Sequence, residues 1–103
     1  MFVCKLKCCN CDYESEHFVE GYSVHCESHT ILCVDRTTNR IRIATLANSH
    51  IPEGAETDGQ IEAIVLCEGE DVLKTTFGQA EQLPVRCPLC NHKGLRKEIL
   101  GLD

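Results

Sequence analysis

Cys8-Cys9-Asn10-Cys11 and Cys87-Pro88-Leu89-Cys90 are the two stretches on which the reading of the whole chain turns. Each is a Cys-x-x-Cys pair, and residues 12–86 lie between them. Two residues between cysteines let the backbone turn tightly, so that both sulfurs address one metal ion. Backbone N–H groups of the turn then face the sulfurs and offset part of their charge. The residue after the second cysteine of such a turn favours positive φ, and the tolerant Asp12 and Asn91 stand there. Pro88 presets φ inside the second turn. Cys8, Cys11, Cys87 and Cys90 are therefore expected to hold one zinc ion (Zn2+) tetrahedrally, with no open coordination position. Iron (Fe) also accepts four thiolates and is the alternative metal.

The two pairs, with Leu95-Arg96-Lys97-Glu98-Ile99-Leu100 behind the second, resemble the zinc-ribbon (rubredoxin-like) proteins. The resemblance implies two zinc knuckles on hairpins and a small antiparallel sheet, carried by residues 1–20 and 84–103. A simple ribbon separates its pairs by roughly 15–20 residues. The much longer separation here implies an inserted β-rich subdomain over residues 21–83. Loop-closure cost rises only logarithmically with length, so the insertion is compatible with a shared site. The expected fold is mainly β, one domain over residues 1–103, with a β-hairpin in the insertion. A chain without Trp and with little aromatic content departs from the aromatic core of rubredoxins, which places electron transfer below the other functions.

Nine cysteines admit other uses. A disulfide framework is disfavoured by the odd count and by a start, Met-Phe-Val-Cys-Lys-Leu-Lys, that enters a strand pattern directly instead of a signal peptide. Redox chemistry is disfavoured because no strand-to-helix context surrounds either pair. Cys9 is expected to point away from the metal, and Cys4 to act as a small core residue. His92 competes with Cys90 as a ligand. Inside the insertion, Cys26 and His29 with Cys33 or Cys67 are candidates for a second site of irregular spacing, although a lone cysteine is more often core.

Sixteen acids against ten Lys and Arg give a formal charge of −6, unfavourable for general binding of phosphate polymers. The bases are unevenly placed. Lys5, Lys7, Arg86, Lys93, Arg96 and Lys97 cluster in sequence around the proposed ligands, either offsetting thiolate charge or forming a nucleic-acid-contacting face. Residues 53–81 carry eight acids and one base, Lys74, which reads as a solvated face or an acidic surface for a partner. No apolar run approaches the length of a membrane span.

Along the chain, Phe2, Cys4, Leu6 and Cys8 alternate with Val3, Lys5 and Lys7, a period-two strand. Residues 13–19 read as its return strand. Thr30-Ile31-Leu32-Cys33-Val34 reads as a strand covered on both faces. Residues 35–39 form a turn, and Arg40-Ile41-Arg42-Ile43 pairs back with the isoleucines inward. Residues 48–60 read as a loop. Residues 60–67 and 72–77 are assigned as strands, the first because Ile61, Ile64 and Val65 are β-branched. No motif marks a catalytic site: His25, His29 and Asp35 have no diagnostic spacing, and a closed four-thiolate centre offers no position for water. The expected function is that of a small, cytoplasmic, non-enzymatic module binding a protein partner in an interaction or regulatory role. The alternative is nucleic-acid contact through Lys93, Arg96 and Lys97.

Overall fold

The computed structural model describes residues 2–20 and 28–102. Seven strands appear in chain order: β1 (Phe2–Cys8), β2 (Phe18–Glu20), β3 (Ser28–Asp35), β4 (Ile41–Ala47), β5 (Glu70–Val72), β6 (Glu81–Arg86) and β7 (Lys93–Leu102). A 3-10 turn, Asn48–His50, and one helix, α1 (Asp58–Val65), lie between β4 and β5. The fold is mainly β, as expected. The strands form two antiparallel sheets, one ordered β2-β1-β7-β6 and the other β4-β3-β5.

Strand alternation explains how these layers stack. Cys4, Leu6 and Cys8 of β1 point inward with Phe18, Leu83, Val85 and Leu95, where they meet Leu32 and Ile41 of the second sheet. The other face of that second sheet turns Ile31, Cys33 and Ala44 toward Ile61 of α1. The apolar run of β3 is thus covered on both faces, as a near-continuous hydrophobic strand requires. Ile41 is buried and Ile43 half-buried, with Arg40 and Arg42 exposed. Asp35 fixes the β3–β4 turn by accepting from the N–H groups of Thr37 (2.7 Å) and Thr38 (2.9 Å), and Asn39 takes φ 61° there.

Three local expectations are corrected. Residues 60–67 are not a strand: α1 covers Asp58–Val65. Thr57 accepts from Gln60 N while the Gln60 side chain accepts from Thr57 N, a reciprocal cap that nucleates the helix despite its β-branched content. The expected strand over 72–77 is reduced to β5, which ends at Val72. The return strand over 13–19 is reduced to one bridge, Lys7 with Glu14, and then β2. Gly78 takes φ 72° against the Phe2 ring, where a Cβ would approach within 2.7 Å, and the Phe2 and Phe77 rings meet edge to face at 5.1 Å.

Lys97 sits on the core face of β7, between Leu95 and Ile99, and is fully buried. Its ammonium donates to Glu20 Oε2 at 2.7 Å and Thr76 O at 2.5 Å, with Glu81 Oε2 at 3.9 Å. Glu20 also accepts from Thr75 Oγ1 and Gly78 N. Burial opposes ionisation of Glu20, but Lys97 and these donors hold its carboxyl below the usual range. Among the described residues, no helix is long and apolar enough to cross a membrane.

Candidate metal centre

Both Cys-x-x-Cys pairs sit in hairpin turns that leave the first sheet at one end. β1 delivers Cys8 inward by its alternation, and Cys8 N donates to Tyr13 O (3.0 Å), closing the first turn. Ser15 reinforces the return, its N–H donating to Leu6 O and its hydroxyl accepting from Leu6 N, both at 2.8 Å. β6 delivers Cys87, whose N–H donates to His92 O (2.9 Å), and Asn91 N donates to Cys87 O (3.0 Å). Asn91 takes φ 63° as expected. Asp12 does not take positive φ, and no bond from Asp12 N to Cys8 O accompanies the first turn. Because β1 and β7 pair antiparallel with Cys8 opposite Leu95, and β6 pairs on the far side of β7, the two turns meet.

The sulfurs of Cys8, Cys11, Cys87 and Cys90 all lie within 4.8 Å of one another. Cys8 and Cys90 are 3.6 Å apart, and Cys11 and Cys87 are 3.7 Å apart. Zinc–sulfur bonds of about 2.3 Å in a tetrahedron imply sulfur–sulfur edges of about 3.8 Å, so the donor set fits such an ion. Cys8 and Cys87 are buried, whereas Cys11 and Cys90 are half-buried. Asn10 N (3.3 Å) points at the Cys8 sulfur, and Leu89 N (3.3 Å) and Cys90 N (3.5 Å) point at that of Cys87. Asn10 Nδ2 adds a contact to Cys90 Sγ at 3.7 Å.

The N–H of His92, opposed by burial and aided by the Asn10 amide, holds the Cys90 thiol well below its ordinary value. The N–H of Tyr13 pulls Cys11 the same way, but burial and the neighbouring sulfurs push Cys11 upward overall. Four thiolates this close repel one another, and a divalent cation between them relieves the repulsion.

The other sequence candidates fall outside this centre. Cys9 is exposed, with its sulfur turned over Gly94 as expected, and Cys4 is wholly buried in the core. His92 contributes backbone groups to the second turn and does not replace Cys90. None of the described cysteines is in a disulfide. Cys26 and His25 lie outside the described residues. Among the described residues, His29, Cys33 and Cys67 do not form a metal-holding group. The space between Cys33 and Cys67 is taken by a cation of the protein itself. Arg42 Nη2 lies 3.7 Å from Cys33 Sγ, 3.6 Å from Cys67 Sγ, 2.8 Å from Val65 O and 2.7 Å from Glu70 Oε1. Asp35, offered with His25 and His29 as an acid–base group, is spent on its own turn.

Of the proposed nucleic-acid contacts, Lys93 and Arg96 are exposed, but Lys97 is buried in its ion pair and is not a surface residue. Sequence reasoning missed Asn10 as a donor to two sulfurs, although an amide between ligand cysteines is a readable signal. It also missed a buttress behind the second turn, where Arg40 Nε donates to Asn91 Oδ1 and Arg86 Nη1 to Asn91 O. Asn39 Nδ2 donates to Pro84 O and Arg86 N to Asn39 O, so the β3–β4 turn is docked onto β6. Comparison with protein-family models, with curated proteins and with solved structures finds no match to this chain.

Proposed function

We propose that this is a zinc-ribbon-like, non-catalytic module in which a structural zinc ion held by Cys8, Cys11, Cys87 and Cys90 joins β1 to the β6–β7 hairpin, and which acts by binding a macromolecular partner. The observation that carries the reading is the closure of four sulfurs within 4.8 Å, each hairpin contributing two, with backbone N–H groups aimed at them. A bound zinc ion here neutralises thiolate charge and ties the hairpins together. With all four positions taken by sulfur it has none left for a substrate. Iron in the same site is the competing occupant, and a reversible redox couple with visible colour distinguishes it.

The acidic stretch offers less free surface than its composition implies. Glu62 pairs with Lys74, Glu70 with Arg42 and Asp71 with Arg36, and Glu81 accepts from Thr76 N. Glu53, Glu56, Asp58 and Glu68 are left as its exposed carboxylates without an ion pair among the described residues. Metal analysis of untagged protein tests the site directly. The expected result is equimolar, colourless zinc whose removal by a chelator abolishes cooperative unfolding. Metal-poor protein with an unchanged unfolding transition would overturn the reading.

A further inference from the structure

The distribution of ion pairs over the molecule is one-sided. Lys5 pairs with Glu14, Arg36 with Asp71, Arg42 with Glu70, Lys74 with Glu62 and Lys97 with Glu20. The remaining cations are Lys7, Arg40, Arg86, Lys93 and Arg96; none is in an ion pair with a carboxylate among the described residues, although Glu14, which pairs with Lys5, stands across the backbone bridge from Lys7. All five lie at the end of the molecule that carries the four sulfurs. Lys7 precedes Cys8, Arg86 precedes Cys87, Lys93 opens β7 just after Cys90, and Arg40 is bonded to Asn91.

Two pairs of these cations stand directly opposite each other across neighbouring strands, Lys7 with Arg96 on the face of the sheet away from Leu95 and Lys97, and Arg86 with Lys93 on the other face. Like charges in that register are destabilising. A chain with an excess of acids thus carries its bases that lack an ion pair around both faces of the sheet at this end. None of them donates to a sulfur: the groups that do are backbone N–H groups and the Asn10 amide, while Arg40 and Arg86 bond Asn91.

We propose that this cationic end binds the phosphodiester backbone of a nucleic acid. The inference rests on the reading of the chain as a binding module and names its partner class. Protein–protein interfaces bury an apolar centre inside a polar rim, but beside these cations Leu89 is the exposed large hydrophobic residue. Phe77 and Leu102 stand with Phe2 instead, Phe77 by ring contact and Leu102 by strand pairing. An end of the sheet ringed by Lys and Arg, with Leu89 as its exposed large hydrophobic residue, matches nucleic-acid interfaces, which are more polar and more positive than those between proteins. The net negative charge of the rest of the chain restricts contact to this end and makes binding strongly salt-dependent.

The test is fluorescence anisotropy of labelled mixed-sequence RNA and DNA oligonucleotides, single- and double-stranded, with zinc-loaded full-length protein. Metal content and far-UV circular dichroism are measured on every sample. At about 50 mM salt the wild type should bind, and affinity should fall with a slope in log salt of about −0.7 per phosphate engaged on a single strand. The combined Lys7→Gln, Lys93→Gln and Arg96→Gln variant should keep its metal and its spectrum, weaken binding on the order of a hundredfold at that salt, and flatten the slope by about two. Arg36→Gln with Lys74→Gln, which removes paired cations instead, should leave binding unchanged. RNA against DNA arms identify the source of the phosphodiester. No binding to any oligonucleotide by metal-loaded protein would overturn the proposal, as would an unaffected triple variant. Binding to polyglutamate or to a second copy of the chain in place of nucleic acid would also overturn it. A metal-poor wild type would instead count against the zinc reading, so the two failures are separable.

Discussion

Among the described residues, two places bring cysteine sulfurs together, and they differ in what stands between them. At one, Cys8, Cys11, Cys87 and Cys90 converge from two hairpin turns with only N–H donors around them. At the other, Cys33 on β3 and Cys67 after α1 flank the guanidinium of Arg42, which also binds Glu70 in a two-pronged contact, Nε to Oε2 at 3.0 Å and Nη2 to Oε1 at 2.7 Å. The first arrangement calls for a cation from outside, and the second contains its own. Cysteine content alone does not separate them. The turn does, because a Cys-x-x-Cys pair aims two sulfurs and several N–H groups at one point. A strand cysteine and a loop cysteine share only what a long side chain bridges.

The comparison breaks most visibly on removing sulfurs. Structural zinc supplies on the order of 10–16 kcal/mol in small peptides, comparable with the whole stability of a domain. Cys87→Ser or Cys90→Ser should therefore lose the metal and the cooperative thermal transition together. Cys67→Ser, at the self-filled cluster, should keep the metal and shift the midpoint by no more than a few degrees. Metal content and calorimetry on the three variants check this. Equal loss from Cys67→Ser would erase the distinction between the clusters.

The internal-cation principle is sharpened by Lys97, whose ammonium is enclosed by Glu20, Thr76 and Glu81 instead of sulfurs. Breaking a buried ion pair from one side leaves the other charge uncompensated and costs about 3–5 kcal/mol. Lys97→Ala should lower the urea midpoint accordingly. Lys97→Met with Glu20→Gln, which removes both charges and keeps volume, should recover much of the loss. The four-sulfur centre should keep its metal in both.

A smaller effect is expected at Arg42. The Arg42 guanidinium and the Cys67 N–H hold the Glu70 carboxyl down from 4.5 to about 2. A carboxyl whose folded value is depressed contributes stability that is fully present above its unfolded value. That contribution is lost as pH falls through the folded one. It therefore fades between about pH 5 and pH 2, and Glu70→Gln should remove that part of the acid slope in urea titrations. Arg42→Ala also strands Val65 O at the end of α1, for a loss of about 1–2 kcal/mol at neutral pH. An acid slope identical in wild type and Glu70→Gln would show that Arg42 does not hold this cluster through its charge.

These contrasts also mark where sequence was enough. The two Cys-x-x-Cys pairs, the alternation of β1 and the apolar run of β3 were all legible, because each depends on spacing within a few residues. Lys97 was legible too and was misread: Arg96 and Lys97 are neighbours in a strand and must face opposite sides, so they do not share one surface. The helix was masked because Ile61 is the one buried residue of α1, which leaves a faint 3.6-residue signal, while Thr57 and Gln60 carried the clearer capping message. The Arg42 cluster was out of reach, since Cys33, Arg42, Val65, Cys67 and Glu70 come from both strands of the hairpin, the helix, the segment after it and β5. Only the packing of α1 on the second sheet brings them to one nitrogen.

The finest test concerns Cys9, an exposed cysteine that neither cluster uses. Cys9 lies inside the first Cys-x-x-Cys pair, yet its sulfur is turned over Gly94, and Cys9 N donates to Gly94 O at 3.2 Å. A Cβ at residue 94 would stand 2.5 Å from that sulfur and 3.1 Å from His92 Cδ2. Gly94→Ala must therefore push Cys9 Sγ aside, at about 1 kcal/mol if the exposed side chain swings clear. If the crowding is with the sulfur, Cys9→Ala in the same chain should restore the midpoint, because its Cβ ends short of the clash. If it is with the His92 ring, the double variant should stay destabilised. Metal content should hold in both variants, since the Cys9 sulfur is not one of the four that converge. Loss of zinc in Cys9→Ala alone would put this sulfur in the coordination shell and undo the separation of ligand from bystander within the first turn.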